Sequence, residues 1–373
     1  MKFVDEFRDT EKAQSLTREI HDIAAHLEKG RTRPLQLMEF CGGHTHTIFR
    51  YGIEQMLPDS IEMVHGPGCP VCVLPMGRVD DCVALAERPE VIFTTFGDAM
   101  RVPGSRKSLL QAKADGADVR MVYSPMDALN LARQHSDREV IFFGLGFETT
   151  MPSTALTVLQ AKREGIRNFS LFCNHITTVP TIKAVLDSPD MMIDGFLAPG
   201  HVSMVIGEGP FQFITKDYHR PLVITGFEPL DILQSIWMLL KQFDEARCEV
   251  ENQYTRIVPK AGNTAALEAI SQVFEIREFF EWRGLGSIDH SGVRMKKAFA
   301  DYDAERKFPV ENLKIADPKS CQCGEVVKGV IKPWDCKIFG SKCNPENPMG
   351  ALMVSSEGAC AAYFNNGYIK KTA

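Results

Sequence analysis

At 373 residues, with 44% hydrophobic and 24% charged residues and a formal net charge of −6, the chain is sized for two or three globular domains. The mild acidity and the lack of basic stripes exclude the usual nucleic-acid footprint, and no apolar run reaches the ~20 residues of a membrane span. The charged start Met1-Lys2-Phe3-Val4-Asp5-Glu6 has no apolar signal-peptide core, so the expected location is the cytoplasm. In that reducing compartment eleven cysteines argue for metal ligation or redox work over a disulfide framework.

In chain order, short apolar, β-rich runs predict strands at Leu35–Glu39, Ile61–His65, Val91–Thr95, Val119–Tyr123, Val140–Phe143, Phe169–Phe172, Phe196–Ala198 and Leu222–Thr225. Amphipathic stretches lie between them, including Val79–Glu87, Ala128–Gln134 and Ala155–Arg163. Continuous apolar strands alternating with helix-period segments signal a mostly parallel sheet covered on both faces. The expected class is therefore α/β. Two small, mostly parallel-sheet domains are placed at 1–125 and 126–255, followed by a loop-rich, cysteine-rich region at 256–373. The pattern also allows a late segment to return and complete an earlier sheet.

Glycines and polar residues gather after the strands, at the carboxyl ends where open α/β sheets place their sites. Glycine is also what a tight βα loop needs, but turning alone does not call for the cysteines, histidines and carboxylates beside it. Cys41-Gly42-Gly43-His44-Thr45-His46 follows the first strand, at the start of a helix expected from about Thr45 to Gln55. A helix N-terminus lowers a thiol's pKa, Gly42 and Gly43 would leave room for a bulky group on sulfur, and His44 and His46 are placed to donate hydrogen bonds or ligate metal. Gly66-Pro67-Gly68-Cys69-Pro70-Val71-Cys72 follows the second strand, with the spacing of a redox pair or of half a zinc site. Neighbouring parallel strands would bring Cys41, Cys69 and Cys72 together. Asp98, Glu148 and Glu228 are strand-end carboxylates of the same kind, whereas Cys82, Cys173, Cys248, His201 and His219 read as structural.

The tail carries Cys321, Cys323, Cys336, Cys343 and Cys360 among Pro333, Pro345, Pro348 and repeated glycines. Such a segment needs a staple. Four thiolates suit structural Zn²⁺ or a [4Fe–4S] cluster equally well by spacing, and with five cysteines for four places one of Cys321 and Cys323 is spare.

Taken together, CGGHTH, HGPGCPVC, TFGDAMRVPG, GFETT, APGHVS, EWRGLG and SSEGAC resemble the HypD family of [NiFe]-hydrogenase maturation proteins, from about residue 2 to beyond residue 360. The resemblance implies two α/β domains and a third region with a [4Fe–4S] cluster. It also implies a scaffold on which iron acquires two cyanides and one carbon monoxide. The implied partners are a small HypC-type chaperone, a HypE-type cyanide donor and, indirectly, the hydrogenase large subunit. Carried over by position, the iron-site cysteines are Cys41, Cys69 and Cys72, with Cys41 holding the Fe(CN)₂CO group. The cluster ligands are Cys323, Cys336, Cys343 and Cys360, which leaves Cys321 spare. Whether Cys69 and Cys72 ligate iron or cycle as dithiol and disulfide stays open.

The primary expectation is thus a cofactor-assembly scaffold with redox capability rather than a conventional turnover enzyme. An iron–sulfur thiol:disulfide oxidoreductase using CPVC, and a zinc-stapled interaction protein, are the competing readings.

Overall fold

The computed structural model describes residues 5–367. It is an α/β protein with two parallel sheets and a C-terminal region of short strands and loops. Nine strands build the two sheets: β1 (Leu35–Glu39), β2 (Ile61–His65), β3 (Val91–Thr95), β4 (Val119–Met121), β5 (Glu139–Gly146), β6 (Phe169–His175), β7 (Gly195–Pro199), β8 (Leu222–Thr225) and β9 (Val250–Asn252). β5 and β6 run three residues beyond the predicted ends, because pairing continues through Gly144↔Cys173, Leu145↔Asn174 and Gly146↔His175.

Strand order departs from chain order. One sheet runs β2-β1-β7-β8-β9 and the other β4-β3-β5-β6. The chain therefore begins the first sheet, leaves to build the whole of the second, and returns at Leu37↔Gly195. A division at residue 125 falls inside the second sheet, between β4 and β5. All pairs within both sheets are parallel, as the continuous apolar strands require.

Each sheet is buried on both faces. Phe142 and Phe143 are consecutive on β5 and both fully buried, one facing Phe169 and Leu171, the other Phe172 and the tail. Side chains of this kind supply roughly 1.5–3 kcal/mol each on burial. The antiparallel pairs β10 (Phe274–Ile276) with β13 (Val293–Met295), and β11 (Phe279–Trp282) with β12 (Gly286–Asp289), follow β9 in the chain. They were not predicted, because three- and four-residue strands are too short to show a period.

The tail shares its core with the rest of the protein. Val326, Val327, Ile338, Leu352 and Met353 share one apolar cluster with Cys69, Cys72, Val79, Phe93 and Phe143. This packing lays the tail cysteines against the loops at the carboxyl ends of the sheets. Among the described residues no helix is long and apolar enough to cross a membrane.

Candidate functional site

β1 ends at Glu39, a carboxylate with 0% exposure, and the chain turns at once into the helix Gly42–Arg50 with Cys41 as its N-cap in extended conformation. The Glu39 carboxylate accepts three hydrogen bonds: from the Cys41 amide at 2.7 Å, from the Thr45 hydroxyl, and from His65 Nδ1 at 2.7 Å. Those donors are what allow a carboxylate to sit in the interior. Glycine 68 brings the next loop in. A side chain there would overlap the backbone of Phe40 and Cys41, and the Gly42 amide donates to the Gly68 carbonyl at 3.2 Å.

Gly42 and Gly43 are closed in by protein side chains. A Cβ on Gly42 would overlap the Glu357 side chain, and one on Gly43 would come within 2.9 Å of the Phe227 ring. They make room for these two neighbours as well as for the thiol. Phe227 lies between two imidazoles, stacked on His201 at 3.8 Å and tilted against His44 at 4.7 Å. Ser355 donates to Asp98 at 3.0 Å. Carboxyl ends of both sheets and the tail thus converge on Cys41, which is partly exposed.

The electrostatics reverse one expectation. Burial pushes the Cys41 thiol up to about 12, with Glu39 and, to a lesser degree, Glu357 adding to it, while the amides of Gly43 and His44 pull the other way. The helix start does lower the thiol, but two carboxylates and lost hydration outweigh it. Burial also raises Glu357, with Asp98 and Glu39 adding to the effect.

His44 is fully buried, and its Nε2–H donates to the Thr225 carbonyl at 3.1 Å. Its Nδ1 is buried with no protein partner and, in this tautomer, is an acceptor. Burial lowers its pKa. His46, two residues along the helix, is exposed. Cys69 and Cys72 are joined as a disulfide, the state in which neither offers a thiolate. Among the described residues no three His, Cys, Asp or Glu side chains are grouped to hold a metal ion.

Of the other strand-end carboxylates, Glu148 accepts from the Thr178 amide at 2.9 Å and hydroxyl at 2.7 Å, tying down the start of the helix Thr178–Leu186. Glu228 caps the helix Pro229–Asp244 and pairs with Arg8. Only Asp98 of the three belongs to the Cys41 neighbourhood. Cys82 and Cys173 are buried, as expected. Sequence reasoning missed Glu39, Phe227 and Glu357, and read His201 as structural. The signals were a charged residue ending an apolar strand and a carboxylate three positions before Cys360.

In the tail Cys323, Cys343 and Cys360 are buried, and Cys336 and Cys321 pack against the same apolar cluster. Cys321 and Cys323 Sγ atoms lie 3.0 Å apart, and a Cβ on Gly350 would strike both. Cys321 pulls the Cys323 thiol down, but Cys360 and burial together carry it above its ordinary value. Buried thiols are the soft donors that a [4Fe–4S] group takes, and Cys323 lies beside both Cys321 and Cys360, although no three of the tail cysteines are grouped among the described residues.

The chain matches the HypD family, described as "Hydrogenase formation hypA family", over residues 11–367. It belongs to the HypD family. It is 58% identical over 371 residues to a "Hydrogenase maturation factor HypD" of Rhodobacter capsulatus, covering 98% of each chain. A protein of the same name from Escherichia coli (strain K12) is 57% identical over 364 residues, again 98% of each. A "Hydrogenase expression/formation protein HupD" of Azotobacter chroococcum mcd 1 is 52% identical over 379 residues, covering 100% of this chain and 99% of the relative. The HypD match takes in both sulfur regions, Cys41 to Cys72 and Cys321 to Cys360.

Proposed function

We propose that this protein acts in hydrogenase maturation as the scaffold on which an iron ion is built into an Fe(CN)₂CO group. The role in maturation rests on membership of the HypD family. The scaffold role rests on one observation above the others: a partly exposed thiol, Cys41, at the point where the carboxyl ends of both sheets meet the tail.

Cys41 is the residue that holds the iron. A thiol raised to about 12 is protonated at neutral pH, so iron binding displaces its proton, and the thiolate formed is the soft donor that low-spin iron prefers. The carboxylates beside it favour a cation before any cyanide arrives. His44 uses Nε2–H on Thr225 and holds the loop; it is not the free donor that the motif implied.

Cys323, Cys336, Cys343 and Cys360 are the residues that would hold a [4Fe–4S] cluster. When bound, such a cluster supplies single electrons at low potential. Cys69 and Cys72, closed as a disulfide in the same apolar cluster as the tail cysteines, are placed to be opened before either serves as an iron donor. A HypC-type chaperone, a HypE-type cyanide donor and a cytoplasmic location complete the reading.

The test is an infrared spectrum of anaerobically purified protein co-expressed with those two partners. Two cyanide bands and one carbonyl band are expected. The second reading, a thiol:disulfide oxidoreductase, is favoured by the closed Cys69–Cys72 pair. A brown, cluster-loaded sample with no bands in that window would replace the first reading with the second.

A further inference from the structure

The buried Glu39 that receives the Cys41 amide is the first member of a longer chain. His65, at the end of β2 and buried, faces Glu39 Oε1 at 2.7 Å through Nδ1 and Glu54 Oε1 at 3.2 Å through Nε2. Ionised carboxylates only accept hydrogen bonds, so a ring between two of them carries hydrogen on both nitrogens: His65 is an imidazolium. Glu54 Oε1 also accepts from the Tyr363 hydroxyl at 2.7 Å. Tyr363 sits on the helix Ala359–Asn365, three residues after Cys360. Four side chains therefore run without a break from the amide of Cys41 to the helix that carries a tail cysteine.

The surroundings hold the chain in one arrangement. The Tyr363 ring meets Phe49 edge-on at 4.5 Å and Trp334 at 4.9 Å, and His65 lies 5.2 Å from Phe49. Lys332 pairs with Glu62 at 3.0 Å beside Glu54. With the aromatic rings fixing directions, a shift of the tail helix has to be answered at Glu54, and a shift of Glu54 at His65.

We propose that Glu39, His65, Glu54 and Tyr363 couple the tail cysteines to the Cys41 loop, so that filling the tail site tightens the geometry at Cys41, with His65 as a positioning residue. This rests on the reading of Cys323, Cys336, Cys343 and Cys360 as cluster ligands. The physical content is that Cys360 ligation fixes the turn bearing Tyr363. The Tyr363 hydroxyl then biases Glu54, and the two charge-assisted bonds of His65 pass the constraint to the carboxylate on which the Cys41 amide depends.

Hydrogen–deuterium exchange of the peptide covering residues 38–45 reads this directly, in protein reconstituted anaerobically with ferrous iron and sulfide and in the same protein stripped of iron. In the wild type, stripping is expected to speed exchange by about fivefold or more, the lower end of ordinary coupling. Tyr363→Phe keeps the ring contacts and loses only the hydroxyl. Its loaded form is expected to exchange at the stripped wild-type rate and to gain nothing further on stripping. Glu54→Ala, which alters no tail residue and removes the acceptor of both bonds, is expected to behave the same and decides the matter if Tyr363→Phe takes up no iron. A peptide from β5 serves as control and should not respond. Wild-type protection in loaded Tyr363→Phe, an equal response to stripping in all three proteins, or a wild type that binds no cluster would each overturn the coupling. Absence of cyanide and carbonyl bands would remove the scaffold reading and leave the exchange comparison standing.

Discussion

His65 offers the sharpest test of the electrostatics. Burial alone would push its pKa down, but hydrogen bonds and charge from Glu39 and Glu54 outweigh this and lift it from 6.5 to about 9. At about 1.4 kcal/mol per tenfold change in proton affinity, that is about 3 kcal/mol favouring the folded state. A raised pKa means that the folded protein binds the proton more tightly. The contribution is therefore complete below pH 6.5, falls as pH rises between 6.5 and 9, and is gone above that window. The perturbation is His65→Gln, whose amide has no titrating proton to lose. Urea unfolding of both proteins at pH 6, 7, 8 and 9.5 should show the wild type's advantage shrinking by about 3 kcal/mol across the series. A difference that stays constant with pH would refute the imidazolium, and with it the charge-assisted bonds assigned to His65.

Cys41→Ala should fold and load its tail site normally yet show no cyanide or carbonyl bands in the infrared; retained bands would place the iron group elsewhere. Because the Cys41 thiol lies at about 12, its alkylation by iodoacetamide should still be accelerating at pH 10, read by mass spectrometry of its own peptide, whereas a plateau near 8.5 would mean an ordinary thiol. Gly68→Ala puts a methyl group into the Phe40–Cys41 backbone, so a loss of about 1–3 kcal/mol is expected in thermal unfolding, and an unchanged midpoint would show that the two loops are not held together there.

Much of the framework was legible in the sequence, because a buried parallel strand announces itself locally. The run Ile61-Glu62-Met63-Val64-His65 and the run Leu222-Val223-Ile224-Thr225 coincide with β2 and β8. The cysteine motifs were legible for a related reason: spacing and residue type are properties of the chain itself. Their protonation was not. The same Cys41 that a helix start should acidify is raised by Glu39 and by Glu357, and the second of these arrives from 316 positions away.

What the sequence by itself determined was the α/β class, the strand positions, the gathering of glycines and sulfur at strand ends, and family membership through its motifs. Tertiary structure alone decided which strands share a sheet, since β1 pairs with β7 only after the chain has built another sheet in between. It also decided that Glu39 is buried with three donors around it, that the Gly42 and Gly43 positions admit Glu357 and Phe227, and that the tail lies against the Cys41 and Cys69–Cys72 loops. The physical reason is the same in each case. Secondary structure follows from patterns a few residues long, whereas burial, pairing and pKa depend on which distant groups fold into contact.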